Sequence, residues 1–162
     1  MKYQEEQSFN QPWLIVLLLL IMLIPVVGII YQVGLGKQFG TNPVSDVGLF
    51  IMLIAFSLPL LLLRFIKLDT RIDPHGIYYR FSPFSGKKLT WEEIETAEVL
   101  DYGFIGGWGI RLPTKYGTAY NVRGRKGLAL ILKNGKKILI GTQNPEKLRA
   151  HLVRMDIPQF KK

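Results

Sequence analysis

Two long apolar stretches stand near the start of the chain. Residues 13–33 form a run of 21 residues without a charged side chain, and residues 47–66 contain only one, Arg64. As α-helices with a rise of about 1.5 Å per residue, each stretch would span about 30 Å, the thickness of the hydrocarbon core of a bilayer. The pattern therefore predicts two transmembrane helices.

A cleaved signal peptide is the alternative interpretation of the first stretch. The residues before it hold Glu5 and Glu6 against a single basic residue, Lys2, whereas a signal peptide begins with net positive charge. The apolar run is also longer than the usual length of about 7–15 residues, and no small-residue cleavage site follows it. The pattern therefore favours a transmembrane helix over a signal peptide that is cleaved.

Basic residues are distributed unevenly around these stretches. The connector, residues 34–46, holds only Lys37. Four basic residues lie at the end of the second stretch or after it: Arg64, Lys67, Arg71 and Arg80. Because basic residues concentrate on the cytoplasmic side of membrane proteins, we expect the connector outside and both termini in the cytoplasm. This predicts a cytoplasmic tail over residues 1–12 and a cytoplasmic domain over residues 67–162.

Beyond residue 66 the apolar positions change to the short, alternating pattern of β-strands. Three strands are predicted in "LDTRID", "GIYYRF" and "KKLTW", and a short turn at Trp91–Ile94 leads into a further strand. The segment "NPEKLRAHLVRM" predicts an amphipathic helix with Asn144 as N-cap and Pro145 at its first position. Many short strands and one terminal helix indicate a small antiparallel barrel or sandwich.

The clearest hairpin is "KGLALILKNGKKILIGT", where Asn134 and Gly135 separate two apolar runs. The dipeptide Asn-Gly is typical of a two-residue turn with positive φ. Such a turn would pair Ile131 with Ile138, Leu130 with Leu139, Ala129 with Ile140, and Lys133 with Lys136. Both faces of the hairpin would then be apolar, so we expect it to be covered on both sides.

The positive charge belongs to the second part of the chain. Residues 1–66 carry equal numbers of basic and acidic side chains, so residues 67–162, with 18 basic and 9 acidic, carry the whole formal charge of +9. Such a domain attracts polyanions, and a membrane tether makes the anionic bilayer surface the nearest one. Nucleic acid is disfavoured as a partner because exposed aromatic side chains do not alternate with the basic ones. The chain has no cysteine and hence no disulfide or thiolate ligand.

Two segments of this basic part resemble a known family. The runs "RIDPHGIYYRF…WEEIETAEV" and "GGWGIR…AYNVRGRKGLALILKNGKKILIGTQNPEKL" are similar to the two halves of bacterial pleckstrin-homology-like (PH-like) domains. The resemblance implies about seven antiparallel strands in two packed sheets with one C-terminal helix, here behind a two-helix transmembrane hairpin. It also implies the inner membrane of a bacterium. Family members of this anchored type are largely uncharacterised, so the resemblance brings little function with it.

The segment "DYGFIGGWGIRLP" combines four glycines with Phe104, Ile105 and Trp108. Phosphate binding is disfavoured because no Gly-Lys-Ser/Thr follows and "IRL" predicts a strand instead of a helix. Two interpretations remain. The segment is either a loop between strands with Trp108 packed into the mouth of the barrel, or an exposed tip whose three apolar side chains contact the membrane interface or a protein partner.

Two groups of basic residues are candidates for contact with anionic phospholipid. They are Arg123, Arg125 and Lys126 in "NVRGRKG", and Lys133, Lys136 and Lys137 at the hairpin tip. One interpretation is a solvated surface that keeps the domain soluble. The other is that both groups face the inner leaflet, where each basic side chain contributes about 1 kcal/mol of binding energy.

The sequence does not predict catalysis. His75 lies in the turn "DPHG" and His151 lies on the apolar face of the terminal helix, so neither joins a nucleophile or a set of metal ligands. We predict no catalytic residue, no metal and no cofactor. The chain is interpreted as a membrane-anchored binding module that scaffolds or regulates a membrane protein complex. A sensor of the anionic lipid surface is the alternative, and an unrecognised enzyme is a third possibility.

Overall fold

The structure is a computed structural model that describes residues 2–161. The chain divides into two compact units. The helical unit is Asn10–Phe65, and the β unit combines Met1–Phe9 with Ile66–Lys162. The β unit is therefore built from segments that lie before and after the helical unit in the sequence.

The helical unit contains two helices that are long and apolar enough to span a membrane. The first, α1, covers Pro12–Ile29 and continues as a π-helical turn over Ile30–Gly34. The second, α2, covers Asp46–Phe65. These bounds lie within one residue of the predicted ranges 13–33 and 47–66, because the apolar runs end where charged or turn-forming residues begin.

The two helices approach each other closely at Gly28. A Cβ atom on this glycine would lie 3.0 Å from Leu49 Cδ2 and 3.1 Å from Phe39 Cδ1, so a larger residue would force the packing apart. The connector is held to the helices by Gln32, whose Nε2 donates to the Val44 carbonyl at 2.8 Å and to Asp46 Oδ1 at 2.6 Å. The hairpin of helices is thus packed within the chain itself.

Ten strands form two sheets within the described part of the β unit. The strands are β1 Tyr3–Ser8, β2 Lys67–Asp73, β3 Gly76–Ser82, β4 Ser85–Thr90, β5 Ile94–Asp101, β6 Gly109–Thr114, β7 Gly117–Asn121, β8 Lys126–Leu132, β9 Lys137–Gly141 and β10 Phe160–Lys161. The first sheet has the order β1-β2-β3-β4 and the second has the order β10-β5-β8-β9-β7-β6. The helix α3, Pro145–Arg154, follows β9. A mainly-β domain with two sheets and a C-terminal helix is confirmed.

The strand count and the pairing differ from the expectation of about seven antiparallel strands. Two of the pairings, β7 with β9 and β10 with β5, are parallel. Two of the strands were not predicted: β1 precedes the helical unit, and β10 is a two-residue strand after α3. A strand of two residues such as β10 is too short to give an alternating apolar pattern, so the sequence does not predict it.

Within the predicted tail, residues 1–12, Tyr3–Ser8 form a strand of the β unit, and α1 already begins at Pro12. Strand β1 pairs with β2 along its whole length, from Tyr3 opposite Ile72 to Ser8 opposite Lys67. Its inward side chains include Glu5 and Gln7, which are both buried. Because these inward residues are polar, β1 lacks the alternating apolar pattern by which a strand is predicted. Their burial depends on hydrogen bonds to distant residues, which cannot be read from the sequence.

The main core lies between the two sheets and is closed by α3, which contributes the buried Leu148 and Leu152. A 3₁₀ turn over Trp91–Glu93 links β4 to β5, where a turn was predicted. Thr90 and Glu93 form a reciprocal capping box at its start. The Trp91 indole is buried and donates from Nε1 to the Asp73 carbonyl at 3.0 Å, which fixes this corner to the turn between β2 and β3.

The register predicted for the β8–β9 hairpin is wrong by one residue. Leu130 lies opposite Ile138 and Leu128 opposite Ile140, and the Leu132 amide donates to the Lys136 carbonyl. The loop therefore has three residues, with Gly135 at φ +79°. Three-residue loops that end in a left-handed glycine are the next commonest hairpin connection, and an Asn-Gly pair serves them as well.

The corrected register places Ile138 and Ile140 on the same face as the leucines of β8, and no longer on the face of Ala129. Leu128, Leu130 and Leu132 face the main core, whereas Ala129 and Leu139 face the other side. Leu139 is fully buried there in a small cluster with Tyr102 and Ala119. Lys133 and Lys136 are not opposite each other, so the repulsion expected from that pairing does not arise.

Candidate binding surface

The glycine loop, residues 102–108, connects β5 to β6 and forms the first part of the segment singled out by the sequence. Its backbone takes positive φ angles at several glycines, and Gly107 is the most restricted of them. There φ is +115° and a Cβ atom would lie 2.7 Å from Arg111 Nη2. The glycines thus serve the path of the loop, and Gly109 leads directly into a strand instead of a helix.

The three apolar side chains of this loop lie in different surroundings. Phe104 is 89% exposed at the tip. Ile105 is half-buried and packs against the cluster of Tyr102, Ala119 and Leu139. Trp108 is half-buried as well. Of the three side chains that the exposed-tip interpretation used, only Phe104 is fully exposed, because Ile105 packs against the cluster.

Two buried polar residues hold the glycine loop in place. Tyr102 is 2% exposed and donates from its hydroxyl to the Gly124 carbonyl at 3.1 Å. Asn121 is 1% exposed, and its Nδ2 donates to the Gly107 carbonyl and to the Tyr102 hydroxyl, each at 3.3 Å. Burial raises the pKa of the Tyr102 hydroxyl, so it stays protonated and able to donate. These hydrogen bonds fix the base of the glycine loop, and Phe104 lies at its tip.

The first basic group lies beside this loop. Arg123 and Arg125 are exposed in the arginine turn, residues 122–125, and Lys126 follows as the first residue of β8. Arg125 Nε lies 3.2 Å from Asp101 Oδ1 and Lys126 Nζ lies 3.9 Å from Glu146 Oε1. The Gly103 amide and then Arg125 hold the pKa of the exposed Asp101 carboxyl below its usual value.

The glycine loop and the arginine turn share one open groove of about 510 Å³. Phe104, Trp108 and Arg125 line it, with Asn121 also among its lining residues. An apolar tip and a cationic side chain thus border the same concave surface. The sequence analysis treated these residues as separate candidates, because residues 104 and 125 are brought together only by the sheet.

The second basic group lies elsewhere in the β unit. Lys133, Lys136 and Lys137 are exposed at the hairpin tip, residues 133–137. Lys136 and Lys137 border a different groove of about 430 Å³, which Lys87 and the exposed Leu112 also line. The two predicted basic groups therefore form two surfaces and not one.

The groove beside the arginine turn and the groove beside the hairpin tip are connected to opposite ends of the first sheet. Ser8, Lys67 and Ser82 lie side by side at one end, where the chain passes to and from the helical unit; we call this the linker end. The turn between β2 and β3, Asp73–Gly76, forms the far end. Each surface is connected to one of these ends by hydrogen bonds.

The hairpin tip is tied to the far end. The Lys133 amide donates to the Glu93 carbonyl at 2.9 Å, and Glu93 belongs to the corner that Trp91 attaches to Asp73. The arginine turn is tied to the last part of β1. Gln143 Nε2 donates to the Arg123 carbonyl at 2.6 Å and to Gln7 Oε1 at 3.3 Å, one residue before the linker end begins.

A polar network that the sequence analysis missed fixes β1 to the second sheet. Glu5 accepts hydrogen bonds from the Thr142 hydroxyl at 2.6 Å, from the Gln143 amide at 2.6 Å and from the Tyr3 hydroxyl. Gln7 Nε2 donates to the Gly141 carbonyl at 2.7 Å. The available signal was the spacing of Tyr3, Glu5 and Gln7, two residues apart, which places them on one face of a strand.

Neither histidine lines either of the two grooves. His75 is exposed in the turn between β2 and β3, where its amide donates to Asp73 Oδ1 at 2.9 Å. His151 is half-buried on α3, with its ring 5.8 Å from that of Tyr3, and burial lowers its pKa below the usual value. Within residues 2–161, no cluster of three His, Asp or Glu side chains could hold a metal ion. Comparison of the chain with protein-family models and with curated proteins gives no match.

Proposed function

We propose that the chain is a non-catalytic, membrane-anchored binding module whose PH-like β unit holds or regulates a membrane protein complex. The membrane proposed is the inner membrane of a bacterium, with both termini in the cytoplasm. The observation that carries the proposal is the exposure of Phe104 at the tip of a loop whose base is fixed by Tyr102 and Asn121. Aromatic residues are enriched at protein interfaces, and a fixed base lowers the entropic cost of placing such a side chain in a partner's pocket.

Membrane anchorage is supported by the two apolar helices and by the connectivity of the chain. Phe9 and Ile66 belong to the same folded unit, so the chain must return to the side of the membrane from which it left. Two crossings satisfy this requirement and one does not. The surplus of basic residues in the β unit then favours the cytoplasmic side for that unit.

The PH-like proposal is supported by the order of the elements. Two packed sheets are followed by a helix that covers the core with Leu148 and Leu152, as the resemblance implies. The strand from before the helical unit and the two parallel pairings are additions to that pattern. Strand β1 and the pairing of β10 with β5 lie at sheet edges, whereas the parallel pairing of β7 with β9 lies inside the second sheet. The two sheets and the helix that follows them match the implied order.

The scaffold function predicts that Phe104 is needed to retain a protein partner. The full chain, extracted from native membranes in mild detergent at moderate salt, should co-purify with a stoichiometric protein. Phe104→Ala should weaken this association by about 2 kcal/mol, roughly thirtyfold, because a central apolar anchor is lost. The matched control is Leu112→Ala, an exposed apolar residue of the other groove. Equal retention of the partner by both variants, or no partner for the wild type, would contradict the proposal.

A second function is favoured by the arginine turn beside Phe104. An apolar tip flanked by Arg123 and Arg125 also suits the surface of an acidic membrane, where basic residues and an inserted ring act together. The two functions differ in their response to salt and to purification. A lipid-surface sensor needs no protein partner and loses its interaction steeply as ionic strength rises.

A further inference from the structure

We propose that the β3–β4 turn is a contact with the surface of the membrane that the chain spans, and that Phe84 inserts its ring among the headgroups of acidic phospholipids. The inference rests on the proposed membrane anchorage. The turn contains none of the residues of the glycine loop or of the two basic groups, although Lys87 of the following strand also lines the groove of Lys136 and Lys137.

Phe84 stands at the tip of a tight turn. Its amide donates to the Phe81 carbonyl at 2.9 Å, which closes the turn, and its side chain is 64% exposed although Phe81 beside it is buried. Pro83 precedes it and is exposed as well. A single exposed apolar residue is ordinary in a soluble protein, so the exposure of Phe84 does not by itself indicate a binding surface. The position of the turn in the sheet is the second observation.

The turn lies at the linker end of the first sheet. In the register of the sheet, Ser82 is the direct partner of Lys67, and Lys67 is the partner of Ser8. Neighbouring strands are about 4.8 Å apart, so the start of the turn lies about 5 Å from the point where β2 begins. Phe84 is two residues further along, a reach of at most about 7 Å.

The connections to the helical unit are short. Only Ile66 separates the last residue of α2 from β2, and residues 9–11 separate β1 from α1. An extended residue spans at most about 3.6 Å. If the chain leaves the bilayer at Phe65, the single linker residue therefore keeps the linker end of the sheet close to the headgroups. Both connections impose this condition on the same end of the sheet.

The charge around the turn fits an acidic surface. The stretch Arg80–Thr90 holds three basic residues and no acidic one. The three are Arg80, Lys87 and Lys88, and each is exposed. The acidic residues on the neighbouring strands include Asp69, opposite Arg80, and Glu6, which forms an ion pair with Lys67. An aromatic ring flanked by basic side chains is the composition by which surface-bound segments enter the headgroup region of anionic membranes. A protein groove would need neither the basic residues nor this position beside the linkers.

The absence of cysteine from the chain allows a direct test. A spin label is attached to Phe84→Cys in the full chain, which is purified and reconstituted into vesicles of phosphatidylcholine and phosphatidylglycerol. Collisions of the label with a water-soluble nickel complex are measured. The matched control is His75→Cys, which lies in the turn at the far end of the same sheet. A third label at Leu20→Cys, in the middle of α1, reports whether the helix is inserted.

The proposal predicts that the label at position 84 collides with the nickel complex several-fold less often than the label at position 75, and more often than the label at position 20. Equal accessibility at positions 84 and 75 in these vesicles, with position 20 shielded, would overturn it and leave the anchorage intact. An accessible label at position 20 would instead refute the anchorage, and this inference with it. Shielding of position 84 that appears only in native membranes would assign the turn to a protein partner and also overturn the proposal.

Discussion

Replacing Glu5 with alanine is expected to lower the free energy of unfolding of the β unit by about 3 kcal/mol. Glu5 is 7% exposed and accepts three hydrogen bonds, two of them from the segment that follows β9. Hydrogen bonds to a carboxylate are stronger than those between neutral groups. Without the carboxylate, the Thr142 hydroxyl and the Gln143 amide lose their acceptor, and a buried donor without an acceptor is costly.

Glu6 provides the matched control for this experiment. It is the next residue of the same strand, but its side chain is 54% exposed and forms a surface ion pair with Lys67 at 2.6 Å. Glu6→Ala should cost less than about 1 kcal/mol because water screens such pairs. Urea unfolding of the full chain in detergent micelles, followed by tryptophan fluorescence, measures both variants. Equal losses for the two variants would mean that β1 is not fixed to the second sheet by Glu5.

Replacing Tyr102 with alanine is expected to cost about 4 kcal/mol, a loss typical of a buried aromatic side chain. The ring is 2% exposed and packs with Ala119 and Leu139, and its hydroxyl connects the arginine turn to the base of the glycine loop. Alanine would remove the packing and both hydrogen bonds. The glycine loop would then lose the base on which Phe104 stands.

Tyr102→Phe separates the hydroxyl from the ring. It keeps the packing and removes the hydrogen bonds to Gly124 and Asn121, so a loss of about 1 kcal/mol is expected. The same urea titration measures this variant. If phenylalanine cost as much as alanine, the hydroxyl would carry the stability of this region. If neither cost more than a surface substitution, the cluster would not support the loop.

The sequence predicts the elements of this chain where one physical pattern dominates. The helices α1 and α2 are found within one residue because an uninterrupted apolar run has few alternatives. The turn at Trp91–Ile94 and the helix that begins at Pro145 follow from local chemistry in the same way. Asn144 precedes the helix at the N-cap position as predicted, although its side chain makes no capping hydrogen bond.

The errors occur where local chemistry permits two answers. Asn134 and Gly135 suit a loop of two or of three residues, and the choice depends on which face of β8 is needed by the core. Strand β1 is not predicted because its inward residues, Glu5 and Gln7, are polar. Their hydrogen-bond partners lie far along the chain. Burial of this kind is a property of the assembled sheets.

The candidate site shows the same division. The sequence identifies the glycine loop and the basic residues, but it does not distinguish Phe104 from Ile105. That difference depends on Tyr102, Ala119 and Leu139, which form the cluster against which Ile105 packs. Phe104 and the arginine turn lie beside each other only because the sheet brings them together, so the sequence pattern does not predict that they share a groove.

Photo-crosslinking from position 104 tests the central claim of a binding module most directly. A photoreactive residue replaces Phe104 in the full chain in native membranes, and the same residue at Leu112 is the control. The account predicts a discrete adduct with another protein from position 104 that is absent from position 112. Adducts with lipid alone would move the function to the anionic surface, and no adduct beyond that of position 112 would contradict a contact at the glycine loop.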